Sequence, residues 1–246
     1  STLTEAGLTD ASAQYPNHAC RMTMTLNRRS VLRIAASGGA AAAGAALPFL
    51  PSGVAQAALV MPGASRGVFD LFQGKKAIGQ HGYEISGSQT APAVMTQAAF
   101  EGRVLAFSAR YELATREQWQ DGRLQLLQSD GSFRNDPFWV RAERQGSALV
   151  VTNERNQVLP VAPDILPTTY WMPNFIEQRA VLDTQRGQVL SIAPQFLGEG
   201  SFHGTTVRGW ELGGELGIKI YYDLHNSWAG LQFRVLGSSF EYRRVV

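Results

Sequence analysis

From Val68 onward the chain alternates between apolar and polar positions in short runs, each broken by Gly, Asn, Asp or Ser. A period of two is the signature of strands with one buried face. The clearest run is Ala109 to Trp119, where Tyr111, Leu113, Thr115, Glu117 and Trp119 share one parity, with Arg110, Glu112, Arg116 and Gln118 on the other. Asp121-Gly122 follows, the dipeptide that best fits a two-residue hairpin turn, and Leu124 to Gln128 makes the returning arm. The same reading predicts strands at Val68–Gly74, Ala77–Ser86, Ala93–Phe107, Phe138–Glu143, Ala148–Thr152, Ala180–Asp183, Gln188–Leu197, Thr205–Leu212, Leu216–Leu224, Trp228–Val235 and Ser239–Val246. Turns are expected at Glu101-Gly102-Arg103, Ser129 to Ser132, Asn135 to Pro137, Gly198-Glu199-Gly200, Gly213-Gly214 and His225 to Ser227. A helix over Pro92 to Glu101 has some support from its Ala and Gln content, yet a curved strand fits the surrounding meander better. The count is about twelve strands with no long helix, an all-β chain. A strongly curved antiparallel sheet, either a lipocalin-like half-barrel or a sandwich, is the expected architecture, and sequential hairpins favour the half-barrel.

One stretch breaks the pattern. Pro163 to Phe175 carries three prolines and three aromatic rings in the middle of the hairpins, so a proline-rich lid or plug laid against the sheet is expected there. Asn174 to Arg179 fits one or two helical turns capped by Asn174, too short to stand unless it packs on the sheet.

The first 57 residues change the picture because their composition differs so sharply. Asn27-Arg28-Arg29-Ser30-Val31-Leu32-Arg33 opens a basic segment, Ile34 to Leu50 is almost wholly Ala, Gly and Leu, and Ala55-Gln56-Ala57 offers small side chains for a signal peptidase. This reads as a twin-arginine export signal that engages the twin-arginine machinery. The expected division is therefore residues 1–57, extension and signal, and 58–246, a single all-β domain with no stable membrane span after cleavage. Met22 and Met24 are candidate start sites. From residue 58 on, acidic and basic side chains balance, so the formal charge of +2 comes wholly from the leader. There is no basic stripe for nucleic acid. The only cysteine is Cys20, which leaves the domain without disulfide, thiol nucleophile or cysteine ligand.

The leader, Gly79 after the Lys-Lys hairpin, the Tyr111–Trp119 strand with Asp121-Gly122, the Leu166 to Trp171 and Leu182 to Gly187 motifs and the Tyr221-Tyr222-Asp223 meander together resemble an uncharacterised family of exported bacterial proteins, a domain of unknown function. The similarity runs from about Val68 to Arg244. It implies a periplasmic β-domain and carries no catalytic residues over. Phe133 to Pro137 and Ser201 to Gly204 depart from the family's short hairpins, which implies different ligand preferences.

Candidate chemistry is sparse. His81, His203 and His225 form neither an HxH nor an HExxH pattern, so no metal or other cofactor is expected. Ser86-Gly87-Ser88 and Ser238-Ser239 lack the Gly-x-Ser-x-Gly elbow and its strand-to-helix setting. Tyr222, Asp223 and His225 gather at a strand end, and with His81 they are the candidates for acid–base catalysis; local hairpin hydrogen bonding is the simpler reading. For binding, Tyr170 and Trp171 offer large amphipathic faces, Met172 an adaptable thioether, Asn174 a polar orienting group and Asp164 an acceptor for Arg179 or a ligand. Arg110, with Arg116, offers an anion contact. The leading expectation is a periplasmic binding domain for an apolar or aromatic small molecule or a lipid-like ligand. The alternatives are a cofactor-free periplasmic lyase, isomerase or hydrolase, and an envelope structural or assembly protein.

Overall fold

The computed structural model describes residues 59–104 and 107–245; the expected export signal lies outside them. Fifteen strands form one sheet: β1 (Arg66–Gln73), β2 (Lys76–Gly87), β3 (Pro92–Val104), β4 (Phe107–Gln120), β5 (Arg123–Phe133), β6 (Asp136–Gln145), β7 (Ala148–Asn153), β8 (Val158–Val161), β9 (Leu166–Pro167), β10 (Ala180–Leu182), β11 (Val189–Phe202), β12 (Thr205–Gly214), β13 (Ile218–Asp223), β14 (Trp228–Val235) and β15 (Ser238–Arg244). The spatial order is β8-β7-β6-β5-β4-β3-β2-β1-β15-β14-β13-β12-β11-β10-β9. Every pairing is antiparallel except β9 with β10. First and last long strands meet, since β1 pairs with β15 through Phe69↔Arg244 to Gln73↔Phe240.

Connectivity alone dictates the curvature. The two outermost strands, β8 and β9, follow each other in sequence with only residues 162–165 between them. Five peptide steps reach at most about 18 Å, whereas fifteen strands laid flat at 4.7–4.9 Å would spread over roughly 65 Å. The sheet must therefore roll until its edges nearly meet, giving an unclosed, barrel-like all-β fold. The segment that bridges the edges then turns inward. Ile165, Leu166, Tyr170, Trp171, Met172 and Phe175 belong to the same buried cluster as Phe69, Leu113, Trp119, Leu231 and Tyr242 from the wall.

Several local expectations are corrected. Glu101-Gly102-Arg103 is strand, paired with Arg110, Ala109 and Ser108, so the β3–β4 connection falls after Val104. Ser129 to Ser132 is also strand. Gly131 serves packing there instead of turning, because a Cβ at this position would lie 2.4 Å from both the Glu112 carbonyl and the Phe138 ring. The turn comes later, at Arg134-Asn135, both with positive φ. Gly198-Glu199-Gly200 continues β11 past a bulge between Phe196 and Gly198, and the chain reverses at His203-Gly204. The short helix is a 3-10 turn, Pro173–Glu177, with Met172 in the capping position and no side-chain cap bond. Asn174 is inside it, its Oδ1 accepting the Val60 N–H at 2.7 Å. The strands beyond the expected runs are β8 and β9, short edge segments that carry Pro160 and Pro167 and show no alternation long enough to read.

Candidate functional site

The interior face of β2, β3, β4 and β5 carries a row of polar side chains. Tyr83 lies opposite Thr96, Thr96 opposite Thr115 and Thr115 opposite Ser129. Directly opposed residues of antiparallel strands bring their Cβ atoms to about 4.5–5.5 Å. His81 and Glu117 extend the row, each two residues along its strand from Tyr83 and Thr115 and hence on the same face. All six are buried. Strand alternation alone places them there, since each sits at a position the pattern assigns to the apolar side.

The inward segment and the turn after β10 each meet this row at one point. Ser129 donates its hydroxyl to the Thr184 carbonyl at 2.6 Å, and the Thr168 and Thr184 hydroxyls are 3.1 Å apart. Glu117 Oε2 accepts two indole N–H groups, from Trp119 at 2.9 Å and from Trp171 at 3.1 Å, whose rings meet edge to face. Burial pushes the Glu117 carboxyl up to about 7, against the indole donors and the Thr169 hydroxyl, which favour the charged form.

Elsewhere the row is unmet. Glu117 Oε1, the hydroxyls of Thr115, Thr96 and Tyr83 and both ring nitrogens of His81 are buried without a hydrogen-bond partner among the described residues. Native interiors pair the large majority of such groups, so each exception calls for a cause. One isolated orphan would be unremarkable packing noise; this set is contiguous. The His81 ring is packed among Phe69, Trp228 and Tyr242, and burial drives its pKa down to about 3, which keeps it neutral. Burial pushes Tyr83 up to about 12. The result is an aromatic-walled patch with several unused donors and acceptors and one proton-holding carboxyl.

The other candidate residues are dispersed. Tyr222 donates its hydroxyl to the carbonyls of Tyr170 at 2.9 Å and Met172 at 3.0 Å, fastening the inward segment where Tyr170 has φ +63°. Asp223 Oδ1 accepts the N–H groups of His225 and Ser227, and its Oδ2 pairs with Arg244 at 2.8 Å. His225 is exposed, so this turn is a locally bonded hairpin end. Met172 is buried in the core. Asp164 is exposed; beside it the Pro163 carbonyl accepts from Arg144 at 2.6 Å, where Arg179 was expected to act on Asp164. Arg110 pairs with Glu112 at the surface, 2.9 Å. The structure therefore brings Trp171 to the row, along with His81, and leaves Asp164, Arg110 and His225 outside. Glu117, Thr115, Thr96 and Tyr83 were missed, although an acid on the apolar parity of a strand was a visible signal.

The family model for a domain of unknown function, DUF6134, matches residues 69–245. The chain belongs to the DUF6134 family. The matched span runs from β1 through β15 and so holds the whole interior row. Among solved structures, the DUF6134 fold is similar to a beta-barrel-like protein of another domain of unknown function, DUF1849, from Brucella abortus. The TM-score is 0.53 at 11% identity, covering 77% of this chain and 98% of that one. That likeness concerns the fold alone. No curated protein matches the chain.

Proposed function

We propose that this protein is a periplasmic binding domain for a largely apolar or aromatic small molecule, or a lipid-like one, held inside the rolled sheet against the β2–β4 row. The observation that carries the reading is the contiguous set of unpartnered polar atoms on Glu117, Thr115, Thr96, Tyr83 and His81. Binding sites for such ligands are mostly apolar with a few placed polar groups. An aromatic wall with a short hydroxyl and carboxyl strip has that composition. The segment 163–175 acts in this reading as the plug that closes the interior, with Trp171 as its contact to the site. The leader at residues 27–57 supports export.

A second reading rests on Glu117 alone. A buried carboxyl that titrates near 7 with one oxygen unengaged has the properties of a general acid or base. It gives the enzyme alternative a different centre from the Tyr222, Asp223 and His225 turn.

Native mass spectrometry of protein taken directly from its periplasm tests the first reading. A reproducible non-covalent adduct, reduced in Thr96→Val/Thr115→Val protein, is the expected result. A clean apo mass under conditions that retain adducts on a control carrier would contradict it. If the adduct persists in Glu117→Gln protein but accumulates as an unconverted compound, the catalytic reading gains.

A further inference from the structure

We infer that the outer face of β13, β14 and β15 holds a second site, independent of the interior, for a small organic oxyanion, a carboxylate or a phosphate. A groove of about 400 Å³ lies there, with Gly217, Lys219, Arg234 and Arg243 among its lining residues. Small-molecule clefts begin at about this size.

The donors are unevenly used. Lys219 is exposed, and its ammonium has no hydrogen-bond or ion-pair partner among the described residues. Among the described residues Arg234 reaches only the Gly237 carbonyl, at 3.4 Å. Arg243 is held from behind: its Nε donates to Glu241 Oε1 at 2.6 Å, and its guanidinium carbon lies 4.0 Å from the centre of the Phe72 ring. Among the described residues its two terminal nitrogens make no hydrogen bond. A guanidinium fixed at Nε presents those nitrogens as a planar pair, the arrangement that matches carboxylate and phosphate oxygens two at a time.

Glu241, the acid that lines the groove beside Arg243, is already committed. It accepts from Gln232 Nε2 at 2.5 Å and pairs with His203 Nε2 at 2.7 Å besides Arg243, and these donors keep its carboxyl below the usual range despite the opposing effect of burial. Tyr221 in turn donates to Gln232 Oε1 at 2.9 Å. The network runs from Tyr221 through Gln232 to Glu241 and fixes Arg243 before any ligand arrives. Glu211, opposite Lys219 in the register, offsets part of the remaining positive charge, which suits a small anion that also carries hydroxyls better than a polyanion. Glu241 is a positioning residue here.

The test is a ¹H–¹⁵N NMR titration of the folded domain with glycerate and, separately, inorganic phosphate, each against sodium chloride at matched ionic strength. Saturable shifts at Gly217, Lys219, Arg234 and Arg243 with one or both anions are expected, and which anion gives them assigns the carboxylate or the phosphate class. Lys219→Ala/Arg234→Ala should weaken that binding at least tenfold. Glu241→Ala should weaken it too, although it removes a negative charge from the groove. Shifts that track chloride equally, or an affinity unchanged in the double variant, would overturn the site. Tighter binding by Glu241→Ala would overturn the positioning role, because net charge alone would then govern the groove.

Discussion

Glu117 and His81 are ionisable groups whose interior placement has opposite consequences for stability. Between its ordinary 4.5 and about 7 the folded state retains a Glu117 proton that the unfolded chain has lost, so stability falls as pH rises through that window. His81 acts in reverse. Between about 3 and 6.5 the unfolded chain holds a proton that the buried ring refuses, so stability rises with pH there. The two oppose each other from about pH 4.5 to 6.5. Glu117→Gln should therefore unmask a rise in stability with pH over this range, and His81→Phe should unmask a fall, each on the order of 2–3 kcal/mol at full extent. Urea unfolding from pH 4.5 to 7.5 reads both slopes; flat profiles in both variants would show that neither group titrates as placed. The threonines give a simpler expectation. A buried hydroxyl without a partner costs about 1–3 kcal/mol of desolvation, so Thr96→Val and Thr115→Val should each stabilise the isolated domain by about 1 kcal/mol. A loss of similar size in either variant would mean that its hydroxyl is paired.

At the scale of elements, the inward segment from Ile165 to Phe175 depends on a few fastenings. Tyr222 alone serves two of its carbonyls, next to a non-glycine residue held at positive φ. Tyr222→Phe should cost about 1–3 kcal/mol and raise hydrogen exchange in residues 168–178 ahead of the wall strands. Uniform exchange across the sheet would argue that the segment is not a separately fastened unit. At Gly131, by contrast, the demand is steric. Gly131→Ala should destabilise through Phe138 and the Glu112 carbonyl, visible as a lower urea midpoint.

Much of the element pattern was legible because alternation is a local property: β4, the Asp121-Gly122 hairpin and the closing meander are each written in a few consecutive residues. Glycine misled where it answers a distant neighbour. Gly131 yields to a Phe138 ring on the next strand, and Gly198 marks a bulge, and neither reason is visible within its own stretch. The site was less legible for the same reason. Trp171 and Glu117 are 54 positions apart, and only the rolled sheet sets one against the other. Tyr222, Asp223 and His225 invited a catalytic reading by their proximity in sequence, yet their side chains point to three different tasks.

The molecule as a whole is shaped by one short connection. Because residues 162–165 tie the first sheet edge to the last, the rolled sheet carries its own interior filling, and the inward segment packs into the same core as the wall. Ser129 is satisfied by Thr184, after β10, and Glu117 Oε2 by Trp119 and by Trp171 of that segment, while the stretch from Thr115 to His81 is left for something else. The central claim is that a ligand completes this stretch. A high-resolution crystal structure of protein purified from its periplasm without denaturation tests it most directly. Connected non-protein density, larger than single waters, is expected within hydrogen-bond reach of Thr96 Oγ1, Thr115 Oγ1 and Glu117 Oε1. Those three atoms bonded to protein groups, or bridged only by isolated waters, would contradict it.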